Sequence, residues 1–366
     1  MNFSLNLPIN NVSFGQVSTL ILRELYKREL EPSLFPIGNV DLSTQKEDKN
    51  FFAWIQKCLQ KAKTAHSREY PTLKLWHLSG GLDSFSRKHA LLTFYELDQP
   101  TLAEINAGKN ADKLIFSSNY SKEVFKKCGV ESITTPLAFD KYNFYKKDKK
   151  YFDDERINFI LCGKFENRKN HAKTIDAWVK KYGNDKKYFL QCCIYNPFAD
   201  EQTNKTWFAQ TLKGEQYFNV QFLGHMPQNE LYNDFLNSAD IVLGMSGGEG
   251  WGLPEFQATA LGSHSVILNA SAYKEWADEA NSVLVEPSGK RDVYDNVFFK
   301  KGDPWNQGKI FDFKEEDFIE GCEKAIERAE TNRNNKEGEL LREHFSSEKL
   351  ADNILKILVD LEKEND

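Results

Sequence analysis

The sequence predicts an α/β protein of two domains built on parallel sheets. Three observations carry that expectation. Short apolar runs of strand length alternate with helical patterns almost throughout, as strand–helix–strand units do. The chain has 366 residues, more than the roughly 100–200 that one domain usually holds. A polar, lysine-rich stretch, KYNFYKKDKKYFDDERI (141–157), breaks the alternation between two sets of such units and reads as an interdomain linker.

In chain order, strands are expected at 3–7, 73–78, 90–94, 113–117, 157–162, 187–195, 220–222, 241–243, 265–268 and 283–285. Each is a short apolar run, as a strand covered on both faces requires. Helices are expected at VSTLILRELYKREL (17–30), SKEVFKKCGV (121–130), HAKTIDAWVKKYG (171–183) and ELYNDFLNSA (230–239). The tail SSEKLADNILKILVDLEK (346–363) repeats apolar residues at helical spacing. The domains are accordingly placed at 1–145 and 155–345.

Composition narrows the function. Hydrophobic residues make up 40% and charged residues 28%, ordinary for a globular protein. A formal net charge of −6 argues against a broadly basic nucleic-acid footprint. The six cysteines (Cys58, Cys128, Cys162, Cys192, Cys193, Cys322) show no C-x-x-C spacing, which suggests neither a zinc knuckle nor a disulfide scaffold. The start, MNFSLNLPIN, lacks the basic end and apolar stretch of a signal peptide. No run approaches the ~18 apolar residues of a membrane span. The expectation is a cytoplasmic protein with no membrane span.

Residues 79–84, SGGLDS, resemble the phosphate loop of ATP pyrophosphatases. Such a loop needs a helix after it, because the anion rests on the free N–H groups of a helix start. After Ser84 only five residues precede the next strand-like run, so the stretch fits better as a glycine-rich loop at a strand's C-terminal end.

The richest segment is ADIVLGMSGGEGWGLPEFQATALGSHSVIL (239–268). A strand runs into glycines, then a short helix, then a strand. Glycines there let backbone N–H groups approach an anionic or hydroxyl-rich ligand, and a carboxylate in the loop can accept from vicinal hydroxyls. Glu249-Gly250-Trp251-Gly252-Leu253-Pro254-Glu255-Phe256-Gln257-Ala258 resembles the E-G-F-G-L-P-x-x-E-A pattern of retaining GT-B glycosyltransferases, group 1 or family 4-like. FILCGKFENRKNHAKTIDAW (159–178) is similar to that family's G-R-x-x-x-x-K-G stretch. The first half is similar more loosely, through NVSFGQVSTLILREL (11–25), ALLTFYELDQPT (90–101) and ADKLIFSSNYSKEVFKKCGVESITTPLAFD (111–140).

The resemblance implies two Rossmann-like α/β domains facing across a cleft, with the C-terminal helix crossing back onto the first. It implies an enzyme that moves a hexosyl or pentosyl group from a nucleotide-diphosphate sugar, a UDP- or GDP-sugar, to an acceptor hydroxyl with retention. No cofactor and no metal is implied. The diphosphate would rest on Lys164, Arg168, Lys169 and the backbone near Gly15. Glu249, with Gly248 and the backbone of Gly250, Trp251, Gly252 and Leu253, would hold the sugar, and Gln257 the ribose. Gln257 stands where the family has glutamate, and Lys164 where it has arginine. Glu255 falls on a different helical face and is not expected to substitute. The candidate catalytic residues are Glu249, Tyr95, which takes the place of the family's histidine, and Glu96 after it. Trp251 replaces the family's Phe and could pack on the donor.

On the acceptor side, His77 and Asp83 flank the SGGLDS stretch, a satisfied structural histidine being as reasonable a reading of His77. Asp153-Asp154 could suggest a metal but sit in the linker. The acceptor stays open among glycan, lipid-linked sugar, small molecule, protein and modified nucleic-acid base. Two rival readings also stay open: an adenylating ATP pyrophosphatase, and a non-catalytic GT-B relative.

Overall fold

The computed structural model describes residues 2–148 and 155–363. Asp153 and Asp154 lie outside the described residues. The chain divides into two compact units, one of Met1–Asn143, Asp303–Asn306 and Glu343–Asp366, the other of Phe144–Gly302 and Gln307–Arg342.

The first unit runs β1 (Ser4–Leu7), α1 (Ser13–Lys27), β2 (Ser33–Pro36), α2 (Lys49–Thr64), β3 (Thr72–Leu75), β4 (His89–Thr93), α3 (Leu102–Lys109), β5 (Lys113–Phe116), α4 (Asn119–Lys126) and β6 (Ile133–Thr134). Its strands form one parallel sheet in the order β2-β1-β3-β4-β5-β6. The order reverses between β1 and β3, so the crevice at the carboxyl ends of these two strands is the switch point where such sheets take ligands. Residues 9–15 and 76–84 emerge there.

The second unit runs β7 (Ile157–Cys162), α5 (His171–Tyr182), β8 (Tyr188–Cys193), α6 (Glu201–Thr211), β9 (Val220–Phe222), α7 (Asn229–Asn237), β10 (Ile241–Gly244), α8 (Leu253–Ala260), β11 (His264–Leu268), β12 (Val283–Val285), β13 (Gly289–Asp292), β14 (Lys309–Asp312), α9 (Glu315–Thr331), α10 (Lys336–Glu339) and the start of α11 (Leu341–His344). Six strands form a parallel sheet, β12-β11-β10-β7-β8-β9, and β13 pairs antiparallel with β14. The central strand INFILC is buried at every residue, because helices cover both faces of a parallel sheet. Phe159, Trp178, Leu243, Val266, Phe318 and Cys322 anchor this core. The reversal falls between β7 and β10.

The last helix, α12 (Ser347–Lys363), belongs to the first unit. Ser347 Oγ donates to Glu24 Oε1 of α1 at 2.7 Å, and Arg28 donates to the Glu348 carbonyl at 3.0 Å.

Two expected elements change, and the reading of SGGLDS as a loop stands. The strand expected at 73–78 stops at Leu75, and the chain crosses to β4 through a single 3₁₀ turn, Leu78–Gly80. No α-helix follows SGGLDS, so the amide cradle of a pyrophosphatase loop is not built. The helix expected at 17–30 starts at Ser13 and ends at Lys27. Helices α2, α3, α6 and α9, edge strands β2 and β6, and the β13–β14 hairpin are additions to the sequence reading.

Candidate active site

In the second unit the turn after β7 and the loop after β10 meet at the switch point. Gly163 leaves β7 with φ +106, and a Cβ there would touch Lys169 Nζ at 3.4 Å and His171 Nε2 at 3.7 Å. A 3₁₀ turn, Asn167–Lys169, then passes Asn170 in the left-handed region (φ 56) and opens α5. Arg291 of β13 holds this turn, donating to Asn167 Oδ1 at 2.8 Å and Asn170 Oδ1 at 2.7 Å. The β10 loop is tied to it: Gly247 N donates to the Arg168 carbonyl at 2.9 Å, and Asn170 Nδ2 to the Met245 carbonyl at 2.9 Å. A Cβ on Gly247 would meet the Phe311 carbonyl at 2.3 Å, so only glycine lets the loop lie against β14.

These ties bring five charges together. Lys169 Nζ donates to Glu249 Oε1, and Arg168 Nη1 lies 3.3 Å from the same oxygen. Arg168 Nη1 also donates to the Gly248 carbonyl and Nη2 to Glu166 Oε2 at 3.2 Å, while Lys164 Nζ reaches Glu166 Oε1 at 2.7 Å. Lys169, Arg168 and Glu249 are buried; the Lys164 side chain is 39% exposed. Burial alone would raise Glu249, but the Lys169 ammonium and Arg168 guanidinium hold its carboxyl down to about 2. Glu166 is likewise raised by burial and lowered on balance by Arg168 and Lys164. Lys169 is pulled down by burial and raised on balance by Glu249 and Glu255. Three cations against two fixed carboxylates leave a positive excess, suited to an anion.

Beside this cluster stand buried polar atoms with no hydrogen-bond partner among the described residues, both His171 nitrogens and Glu255 Oε2; Gln257 Oε1, further along α8, is likewise buried and unpartnered. Burial, reinforced by Lys169, pushes His171 down to about 3, so the imidazole stays neutral. Burial pushes Glu255 up to about 7, Lys169 opposing and Glu249 adding to the rise. Such atoms are seldom left unsatisfied in a folded protein, and three beside one cation cluster make it a candidate ligand site.

Residues 144–297 match the family described as Glycosyl transferases group 1, inside the second unit. No curated protein sequence matches the chain. Over nearly its whole length the chain superposes on sucrose-phosphate synthase from Thermosynechococcus elongatus (14% identity, 99% of this chain and 96% of that one, TM-score 0.64). It superposes similarly on a glycosyltransferase from Rickettsia africae (11% identity, 98% and 98%, TM-score 0.67). A third likeness is Anabaena HepE, solved in complex with UDP and glucose (14% identity, 98% and 100%, TM-score 0.63).

The chain has the GT-B fold, and residues 144–297 match the group 1 glycosyltransferase family. Within the matched region the sequence-expected residues Lys164, Arg168, Lys169, Gly248 and Glu249 gather at the switch point, Gly250 and Gly252 continue the same loop, and Gln257 is buried further along α8. Gly252 (φ +80) caps α8, and a Cβ there would strike Tyr273 at 2.3 Å. Leu253 is the first residue of α8. Trp251 is a correction: its ring is buried edge-on against Phe256 (centroids 5.5 Å apart), and its carbonyl accepts from Trp276 Nε1 at 2.9 Å. Its size fills the core beneath α8.

In the GT-B chain's first unit, Gly15 sits in the first turn of α1, where a Cβ would meet the Asn10 carbonyl at 2.2 Å. The glycine is explained by that internal approach. Tyr95 is also corrected: it is buried, its hydroxyl donates to Glu104 Oε2 at 3.3 Å, and its ring meets Phe125 edge-on at 4.8 Å. It braces the start of α3, where Thr101 and Glu104 form a capping box. Glu96 beside it is half-buried. His77 is exposed at the β1–β3 switch point, its ring 4.5 Å from Phe14 and 5.2 Å from Trp76. Asp83 is exposed, and its carbonyl accepts from buried Lys74 at 2.7 Å.

Sequence reasoning missed Glu166, His171, Glu255, Tyr273 and Arg291. Glu166 and His171 stand inside the quoted KFENRKNH stretch, where alternating charges signalled a paired network. Glu255 was set aside on helix geometry. Arg291 and Tyr273 reach the site from distant segments that carry no local signal. Among the described residues no group of three His, Cys, Asp or Glu side chains is placed to hold a metal. No helix among them is long and apolar enough to cross a membrane.

Proposed function

We propose that the protein transfers a hexosyl or pentosyl group from a UDP- or GDP-sugar to an acceptor hydroxyl with retention of anomeric configuration. The observation that carries this reading is the buried Lys169–Glu249 pair with Arg168 at the switch point, ringed by unpartnered polar atoms. The Anabaena protein solved with UDP and glucose supports a nucleotide-sugar donor.

In this reading Lys164 and Lys169 turn to the diphosphate as it enters, and their fixed charge stabilises the leaving group without a metal. Glu249 is released to accept from sugar hydroxyls, held ionised by Arg168. Gln257 Oε1 accepts from the ribose. The acceptor oxygen attacks on the face the diphosphate leaves, forming the new glycosidic C–O bond as the old one breaks. The departing diphosphate oxygen takes the acceptor's proton. Tyr95, buried against Glu104, has no part in that step. In this reading His77 and Asp83, at the first unit's own switch point, serve the acceptor. All six cysteines stand unpaired, which suits a reducing cytoplasm.

Incubation with a panel of nucleotide sugars, read by ¹H NMR for binding and for the anomer of any product, tests this. Release of the α-sugar from an α-linked donor supports retention. Binding of ATP and magnesium with indifference to every nucleotide sugar would overturn it.

A further inference from the structure

Glu255 is the acid that the donor motif does not call for. It sits at the third position of α8, its carboxyl fully buried and one oxygen without a partner among the described residues. The backbone is shaped to admit it: a Cβ on Gly244, at the end of β10, would meet Glu255 Cγ at 3.1 Å and the Tyr273 hydroxyl at 3.4 Å. The groups facing it are Lys169 from the turn after β7, Glu249 from the loop after β10, Tyr273, Cys162 of β7 and Tyr232 of α7. Of these only Lys169 is a cation, and Lys169 is already bound to Glu249.

The electrostatics follow. Of the cluster's three cations only Lys169 acts on Glu255, and one ammonium cannot serve both that carboxylate and a diphosphate. Two carboxylates in one dry site cannot both ionise cheaply, so the less solvated one takes a proton. Glu249 has Arg168 as well as Lys169; Glu255 has no cation of its own. A diphosphate arriving beside Lys169 adds negative charge and pushes the same carboxyl further toward its neutral form.

Building on the donor reading above, we propose that Glu255 is a positioning residue acting through Lys169: its carboxyl takes up a proton as the donor diphosphate enters, which leaves the Lys169 charge to the diphosphate. Donor binding is thereby coupled to pH near neutrality, through a residue that need not touch the donor.

The probe is UDP-glucose, whose diphosphate does not change charge near neutrality, studied by calorimetry in buffers of different ionisation enthalpy. Wild type should take up roughly half a proton at pH 7, since Glu255 titrates at about 7, and more at pH 8. Its affinity should fall by up to about tenfold per pH unit above 7. Glu255→Gln should bind with no proton uptake and a flat pH profile. Proton uptake unchanged in Glu255→Gln, or absent from wild type that binds the probe, overturns the proposal.

A ligand-free readout separates failure of the donor reading. The stability difference between wild type and Glu255→Gln should shift in favour of the variant as pH rises from 5 to 8, whether or not a nucleotide binds. That shift with no binding of any nucleotide sugar means that the donor reading, and the coupling with it, is wrong. No shift means that Glu255 does not titrate there, and the proposal fails while the donor reading stands.

Discussion

At the scale of single residues, the effect of a substitution is set by which partner each charged group loses. Lys169→Met should weaken UDP-sugar binding roughly tenfold to a hundredfold, the worth of a charge-assisted hydrogen bond of ~1.5–3 kcal/mol. It should also destabilise the fold by about 3 kcal/mol, because buried Glu249 loses a counter-charge. Adding Glu249→Gln should restore stability but not affinity, and calorimetry beside denaturant titration reads both. Recovery of affinity in the double variant would show that Lys169 serves the fold alone. Tyr95→Phe removes one buried hydrogen bond to Glu104, so stability should fall by ~1 kcal/mol while turnover stays near wild type. A large loss of turnover would return Tyr95 to the chemistry. Gln257→Glu restores the usual carboxylate of the motif and should keep or tighten ribonucleotide binding. It should lower stability near neutral pH, since the atom it charges is buried and unpartnered.

At the scale of elements, Gly252 in the loop after β10 tests whether that loop's shape is imposed by the fold. Gly252→Ala combines a left-handed backbone, which costs an L-residue ~1–2 kcal/mol, with a Cβ 2.3 Å from the Tyr273 ring. Gly302→Ala has the same backbone conformation (φ +89) but open space around it, so it should cost the backbone term alone. Equal losses for the two in denaturant titration would contradict the packing described for Tyr273. The same scale shows what the sequence made legible. Strands such as INFILC announce themselves because a central parallel strand is apolar on both faces. Helices α2 and α9 carry signals that could have been read: Asp48 caps α2 ahead of Phe51, Trp54, Ile55 and Cys58 at helical spacing. Edge strand β2 is short and ends in Pro36, tolerable only at an edge, and β6 spans two residues, too little for periodicity. In the site, Lys164 to Lys169 and Glu249 to Gln257 were visible as motifs. Glu255, Tyr273 and Arg291 depend on how distant segments pack, which local pattern does not encode.

At the scale of the whole molecule, the buried titrating groups set how stability responds to pH. His171, depressed to about 3, stays neutral in the fold while the unfolded chain's imidazole charges below about 6.5. It therefore removes up to ~1.4 kcal/mol per pH unit on acidification through that window. Glu255, raised to about 7, works the other way between its ordinary 4.5 and 7, binding a proton that the unfolded chain lacks. Glu249 adds a loss below 4.5, completed near 2. Wild type should thus be nearly flat between pH 6.5 and 4.5 as far as these groups govern it, then lose stability steeply on acidification below 4.5. Glu255→Gln should expose a loss on acidification below 6.5, and His171→Gln a gain; thermal unfolding across pH 4–8 reads both, and parallel profiles would contradict the burial of either group. The central claim is that the switch point of the second unit binds a nucleotide sugar, and the most direct measurement is saturation-transfer NMR of UDP- and GDP-sugars with wild type and Lys169→Met. The account predicts transfer to the ribose and sugar protons of at least one donor in wild type, and its loss in the variant. Equal transfer to both proteins, or transfer to ATP alone that vanishes on changing Asp83, would contradict it.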